Sequence, residues 1–190
     1  MNRLFKLVAL AGVTLLPAMA VDVPRPAPEF SAKLPNGGQI LLSKYRGKVV
    51  ALEFLFTTCP HCQHASQVMS QLQTEYGPKG FQALGVAFND MSQMLVSDFV
   101  RDFKVNYPVG FSTRPPVNAF LQNDPNNALH VPQVVFIDRK GVIRHQSLPR
   151  NDANTATETF MRKTIENLLK EPAASASKPA TAKKPAKKTS

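Results

Sequence analysis

The 190-residue chain has no tryptophan, four histidines and only two cysteines, Cys59 and Cys62. They form a single C-x-x-C pair, and the second ligand pair that a structural zinc site of this type needs is missing. Half of a zinc site and a static disulfide are the plain alternatives to redox chemistry for such a pair. No cysteine stands near Ala20, which excludes lipoprotein processing there. The apolar run from Leu7 to Leu16 is too short to span a bilayer comfortably. Beyond Glu171 there is neither an acid nor a large apolar residue. Residues 172–190 therefore cannot bury enough surface to offset their chain entropy and are expected to be disordered. No internal repeat is visible.

What is present at the N-terminus reads as a targeting segment. Arg3 and Lys6 precede the apolar run, and Pro17-Ala18-Met19-Ala20 closes it with an A-x-A pattern. Residues 1–20 are expected to be a signal peptide cleaved after Ala20, with an uncleaved anchor as the alternative. Export places the chain in a periplasmic or comparable oxidising compartment, where a C-x-x-C disulfide persists unless it is reduced. The formal charge of +10 overstates the charge of the folded part. Two positive residues lie in the leader and five lysines in the tail (Lys178, Lys183, Lys184, Lys187 and Lys188), leaving +3 on residues 21–171. That balance gives no reason to expect nucleic acid as a partner. The lysine-rich tail would have weak attraction for anionic lipid or cell-wall polymer, against the plainer reading of a solvated tail. Residues 21–171 have the size of one domain with a single good core.

Proline and glycine punctuate that domain. Val23 to Glu29 is extended and proline-rich. Pro35-Asn36-Gly37-Gly38 is a turn between strand candidates at 30–34 and 39–42. The run from Val49 to Phe56 is nearly continuous in apolar residues, as in a central strand covered on both faces. Ala65, Val68, Met69, Leu72 and Tyr76 then recur at helical spacing until Gly77-Pro78. A second central strand is expected over 81–88, and a helix whose stripe is Met91, Leu95, Phe99 and Phe103. A short strand candidate at 107–111 and a helical turn at 117–122 follow. Residues 134–137 and 142–146 form a hairpin, and a last helix opens on the capping-box pattern Thr155 to Glu158 and buries Phe160, Ile165, Leu168 and Leu169. The order is β-α-β-α-β, then β-β-α, preceded by an N-terminal β-hairpin.

Cys59-Pro60-His61-Cys62 lies between the first central strand and its helix. A cysteine at a helix N-terminus meets unpaired N–H groups and the helix dipole, which favour a thiolate, and Pro60 suits the first helical position. Cys59 is accordingly the expected nucleophile, and Cys62, one turn in, the resolving thiol. A protonated His61 would stabilise the Cys59 thiolate and make the disulfide a stronger oxidant; the alternative is a solvated loop histidine. Glu53 interrupts the apolar strand six residues before Cys59, where a carboxylate is costly unless it is hydrogen-bonded or functional.

The chain resembles the thioredoxin superfamily, in its TlpA/ResA-like branch of exported redoxins. The likeness rests on Ala27-Pro28-Glu29-Phe30, Gly38, Leu42-Ser43, Tyr45 to Val50, the Cys59–Cys62 motif, Val131-Pro132, Val134 to Asp138 and Gly141. It implies an α/β thioredoxin-like fold, a central mixed β-sheet flanked by helices. It also implies a cis peptide at Val131-Pro132, whose backbone pairs with a substrate chain, and an acid at Glu53 that handles the proton of Cys62. The function implied is thiol–disulfide oxidoreductase, with protein thiols or disulfides as partners, a membrane thiol donor for the reductase direction, and no cofactor or metal. Glu53 suits a reductase and His61 an oxidant, so both directions stay open.

The departures matter. Where the family has two tryptophans before the first cysteine, this chain has Phe54-Leu55-Phe56-Thr57-Thr58. Cys-Pro-His-Cys resembles the DsbA-type oxidants, but the chain is too short for their helical insertion. Peroxiredoxins share the leading segment, yet their catalytic threonine three residues before the cysteine is here Phe56; thiol-dependent peroxide reduction is an alternative on family grounds only. His64 and His130 could join the cysteines as copper or zinc ligands in a metal chaperone, an alternative from another class.

Overall fold

The computed structural model describes residues 22–148 and 154–172, so the expected signal peptide and nearly all of the expected tail lie outside the described residues. The strands are β1 (Arg25–Pro26), β2 (Ser31–Lys33), β3 (Gln39–Leu41), β4 (Val49–Leu55), β5 (Phe81–Ala87), β6 (Val109–Phe111), β7 (Gln133–Ile137) and β8 (Val142–Gln146). The α-helices are α1 (Pro60–Tyr76), α2 (Ser92–Asp102), α3 (Arg114–Leu121) and α4 (Glu158–Lys170). One mixed sheet runs β1-β8-β7-β4-β5-β6-β2-β3. β4, β5 and β6 are parallel, while β7 lies antiparallel against β4. This is the thioredoxin-like arrangement, with the expected N-terminal hairpin β2–β3 docked on β6.

β4 is wholly buried and its side chains alternate between two apolar layers, as the period of a strand requires. Val49, Ala51 and Leu55 face the layer built with α1, α2 and α4. Val50, Leu52 and Phe54 face the layer that holds α3 and the leading segment, where Phe54 packs between Phe30 and Phe120 at ring separations of 5.3–5.5 Å. Glu53 shares the parity of Ala51 and Leu55, so the strand carries its carboxyl into the layer beneath α1.

Three local expectations shift. The leading segment forms β1, an edge strand on β8, held by Arg25, whose guanidinium donates to Phe120 O and Gln146 Oε1. The buried stripe of α2 is Ser92, Val96 and Phe99 rather than one starting at Met91. Met91 precedes the helix with φ of 57° and is exposed, so the stripe starts at Ser92, while Phe99 and the partly buried Phe103 pack on the core as expected. The cap of α4 is Thr157, whose hydroxyl accepts from the Phe160 N–H, so the Thr155–Glu158 box is not the one used; Thr155 is itself buried.

The hairpin's docking depends on one close approach. A Cβ added at Gly110 of β6 would lie 2.7 Å from the Lys33 carbonyl oxygen, a backbone atom that cannot step aside. Gly110→Ala is therefore expected to lower stability by about 1–3 kcal/mol and to speed hydrogen exchange in 31–41 ahead of the central strands. Unchanged exchange there would show that the hairpin does not depend on this contact.

Candidate active site

Cys59 caps α1 with an extended backbone (φ −86°, ψ 119°), and Pro60 occupies the first turn. The Gln63 N–H donates to the Cys59 carbonyl at 3.0 Å, closing the first turn behind the cysteine. The preceding loop is held from outside: Asn89 Oδ1 accepts from the Thr57 N–H at 3.0 Å, and the Gln63 side chain donates to the Thr57 carbonyl at 3.0 Å. Cys59 is thus fixed in place yet partly exposed, whereas Cys62 is wholly buried; both are free thiols. The Val131–Pro132 peptide is cis, and the Val131 carbonyl faces Cys59 Sγ at 3.9 Å. The residues expected to bind substrate therefore stand beside the expected nucleophile.

Glu53 has no exposed surface. Its Oε2 accepts from Ser66 Oγ at 2.8 Å and from the Tyr107 hydroxyl at 3.3 Å, while Oε1 has no hydrogen-bond partner among the described residues. Burial raises its pKa to about 8, with the two hydroxyl bonds pulling in the opposite direction. Burial also pushes the Cys62 thiol well up, and the charge of Glu53 pushes it further. An ionised pair is thus disfavoured in this layer: below about pH 8 carboxyl and thiol are both protonated, and above it the carboxyl is the group that ionises first.

Ser66 and Tyr107 escaped the sequence reading. Ser66 carries a usable signal, since it lies four residues after Cys62 on the same helical face. Tyr107 does not, because it meets Glu53 from across the sheet, 54 positions along the chain.

The histidines do not converge. His61, His64 and His130 are all exposed, and among the described residues no three His, Cys, Asp or Glu side chains gather as a metal-holding group. Phe56, where a peroxidase threonine would stand, packs its ring on Phe88 at 4.7 Å under the Arg114 guanidinium. Together with Met91 and Phe111 these residues line an open groove beside the loop.

The sequence pattern of the AhpC/TSA family matches residues 23–146. The chain is 29% identical over 119 residues to the thioredoxin-like protein YneN of Bacillus subtilis, a stretch that is 62% of this chain and 66% of that one. It is 29% identical over 126 residues to the thiol-disulfide oxidoreductase ResA of Geobacillus kaustophilus, covering 66% and 68% of the two chains. The chain thus spans about two thirds of the length of these relatives, just under that share for YneN. A thiol:disulfide interchange protein of Chlorobium tepidum superposes with a TM-score of 0.64 at 24% identity, over 79% of this chain and 99% of that one. The thioredoxin domain of a thiol-disulfide oxidoreductase of Bacteroides vulgatus superposes at 0.61 with 17% identity, over 77% and 99%. Both superpositions establish the fold.

The raised carboxyl has a consequence for stability. Glu53 keeps its proton up to about pH 8 when folded, whereas an unfolded glutamate releases it near pH 4.3. Between those values the folded state binds more protons, so stability falls as pH rises through the window, by roughly 1.4 kcal/mol per unit. Glu53→Gln is expected to remove this slope and to stabilise the reduced protein more at pH 8 than at pH 5. Equal effects at both pH values, read from denaturant midpoints, would show that Glu53 is ionised throughout.

Proposed function

The chain belongs to the AhpC/TSA family, and we propose that it is a thiol–disulfide oxidoreductase acting on exported proteins through its Cys-Pro-His-Cys pair. The observation that carries this reading is the asymmetry of the two thiols. Cys59 is reachable at a helix N-terminus beside the cis Val131–Pro132 bond, and Cys62 is wholly buried behind it over a buried carboxyl.

The cycle follows from that asymmetry. The Cys59 thiolate attacks one sulfur of a substrate disulfide, forming a Cys59–substrate bond and releasing the other substrate sulfur as a thiolate. Cys62 then passes its proton to the Glu53 carboxylate as its sulfur attacks Cys59 Sγ. The Cys59–Cys62 bond forms, the Cys59–substrate bond breaks, and the second substrate sulfur leaves as a thiolate that takes a proton from water. The substrate has gained two electrons and the pair has lost them. Run backwards, the same steps insert a disulfide. In the forward direction a membrane thiol donor resupplies the electrons.

The backbone at Val131 and Pro132 positions the substrate chain during the mixed-disulfide stage. The supports for export are the leader pattern of residues 1–20 and the fact that a C-x-x-C pair suits an oxidising compartment. Among the described residues no helix is long and apolar enough to cross a membrane.

Trapping tests the assignment of roles. Cys62→Ser should accumulate a mixed disulfide between Cys59 and a disulfide-bearing protein substrate, visible as a reducible adduct on non-reducing gels. Cys59→Ser should form none. Equal trapping by both variants would reverse or dissolve the division of labour.

A further inference from the structure

The two hydroxyls on Glu53 are the feature that the cycle leaves unused. Ser66 Oγ and the Tyr107 hydroxyl both reach Oε2, at 2.8 and 3.3 Å, and neither reaches Oε1. Ser66 and Glu53 have no exposed surface, and Tyr107 is buried, so water does not compete freely for these bonds. The Tyr107 hydroxyl is also 3.5 Å from the Ser66 carbonyl, which already accepts from Ser70 Oγ at 2.9 Å. One carboxylate oxygen is thus held by donors from two separate elements, α1 and the loop before β6. The other is left without a partner in an apolar layer, where an unsatisfied oxygen is costly.

We propose that Ser66 and Tyr107 are positioning residues for proton transfer: by occupying Oε2 they fix the carboxyl and reserve Oε1 as the oxygen that exchanges a proton with Cys62. This rests on the reading of Glu53 as the proton acceptor of Cys62. Both donors prefer the charged carboxylate, because a hydroxyl donates more strongly to an anion than to a neutral acid. They therefore offset part of the burial that pushes Glu53 toward its protonated form, and they keep it able to accept a proton near neutrality.

Few other groups bear on this balance. Tyr107 and Cys62 are the titratable groups that face Glu53, with Cys59 beyond Cys62. The remaining elements packed on that side of β4 present apolar side chains, Val134 from β7 and Met161 and Ile165 from α4. His61 and His64, on α1, are exposed. The Tyr107 phenol is held well above its ordinary range by burial and by the charge of Glu53, so it stays a donor across the range in which the carboxyl titrates.

The test is the pH profile of mixed-disulfide resolution, followed by stopped-flow with a Cys59-linked fluorescent thiol as the leaving group. The wild-type rate should rise through an inflection that reports Glu53, and Glu53→Gln should lose that inflection. Ser66→Ala and Tyr107→Phe should each move it upward by about one pH unit, leaving a roughly tenfold slower rate near pH 7. Incorporating 3-fluorotyrosine at position 107 keeps the ring in place and makes the phenol a stronger donor, so it should move the inflection downward. This arm stands even where a truncated variant folds poorly.

A uniform change of rate with a fixed inflection in the Ser66, Tyr107 and fluorotyrosine proteins would overturn the positioning role. The role of Glu53 itself would survive that result. An inflection that persists in Glu53→Gln would overturn both.

Discussion

The burial of one carboxyl group governs this site. Glu53 stands in the middle of a strand whose every other side chain is apolar, and it is enclosed by the layer that packs α1 and α4 onto the sheet. A charge placed there without partners would be untenable. The structure answers with two hydroxyl donors on one oxygen and with a pKa displaced to about 8. A carboxyl titrating in that range can take or give a proton under physiological conditions, which an ordinary surface glutamate does not do. The buried thiol of Cys62 has the complementary difficulty, since desolvation and the nearby charge resist its ionisation. Each group supplies what the other lacks.

In the proposed cycle the rest of the fold brings a substrate disulfide to that pair. Parallel β4 and β5 place the first turn of α1 at one end of the sheet, with Asn89, beyond the end of β5, clamping the loop through Thr57. The β7–β8 hairpin is preceded by the cis Val131–Pro132 bond, and the Val131 carbonyl lies beside Cys59 Sγ. Cys59 is thereby held by backbone and side-chain bonds while its sulfur stays partly exposed. Beside that loop Phe56 and Phe88 pack under the Arg114 guanidinium, forming an aromatic wall next to the site.

Much of this is legible in the sequence because the signals are local. The apolar run of β4, the proline at the start of α1 and the turn residues of both hairpins each act within a few positions. Glu53 stands out for the same reason, as an acid among apolar neighbours. Features that depend on distant contacts are harder to see. β1 is two residues long and proline-rich, and only its pairing with β8 makes it a strand. The start of α2 differs because Met91 takes a left-handed backbone conformation ahead of the helix, which hydropathy does not reveal. Tyr107 reads as an ordinary strand-edge aromatic until the sheet brings its hydroxyl to Glu53. For the histidines the structure bears on one suggestion only: among the described residues His61, His64 and His130 do not gather with the cysteines as a metal-holding group.

The account depends on the ionisation of Glu53, and that can be read directly. A carboxyl ¹³C titration of the reduced protein, with the Glu53 resonance identified by its absence in Glu53→Gln, measures it without reference to rate or stability. The midpoint should lie at about pH 8. A midpoint near the ordinary glutamate value of about 4.3 would contradict the claim, since a carboxylate already ionised in acid is too weak a base to relieve Cys62 of its proton.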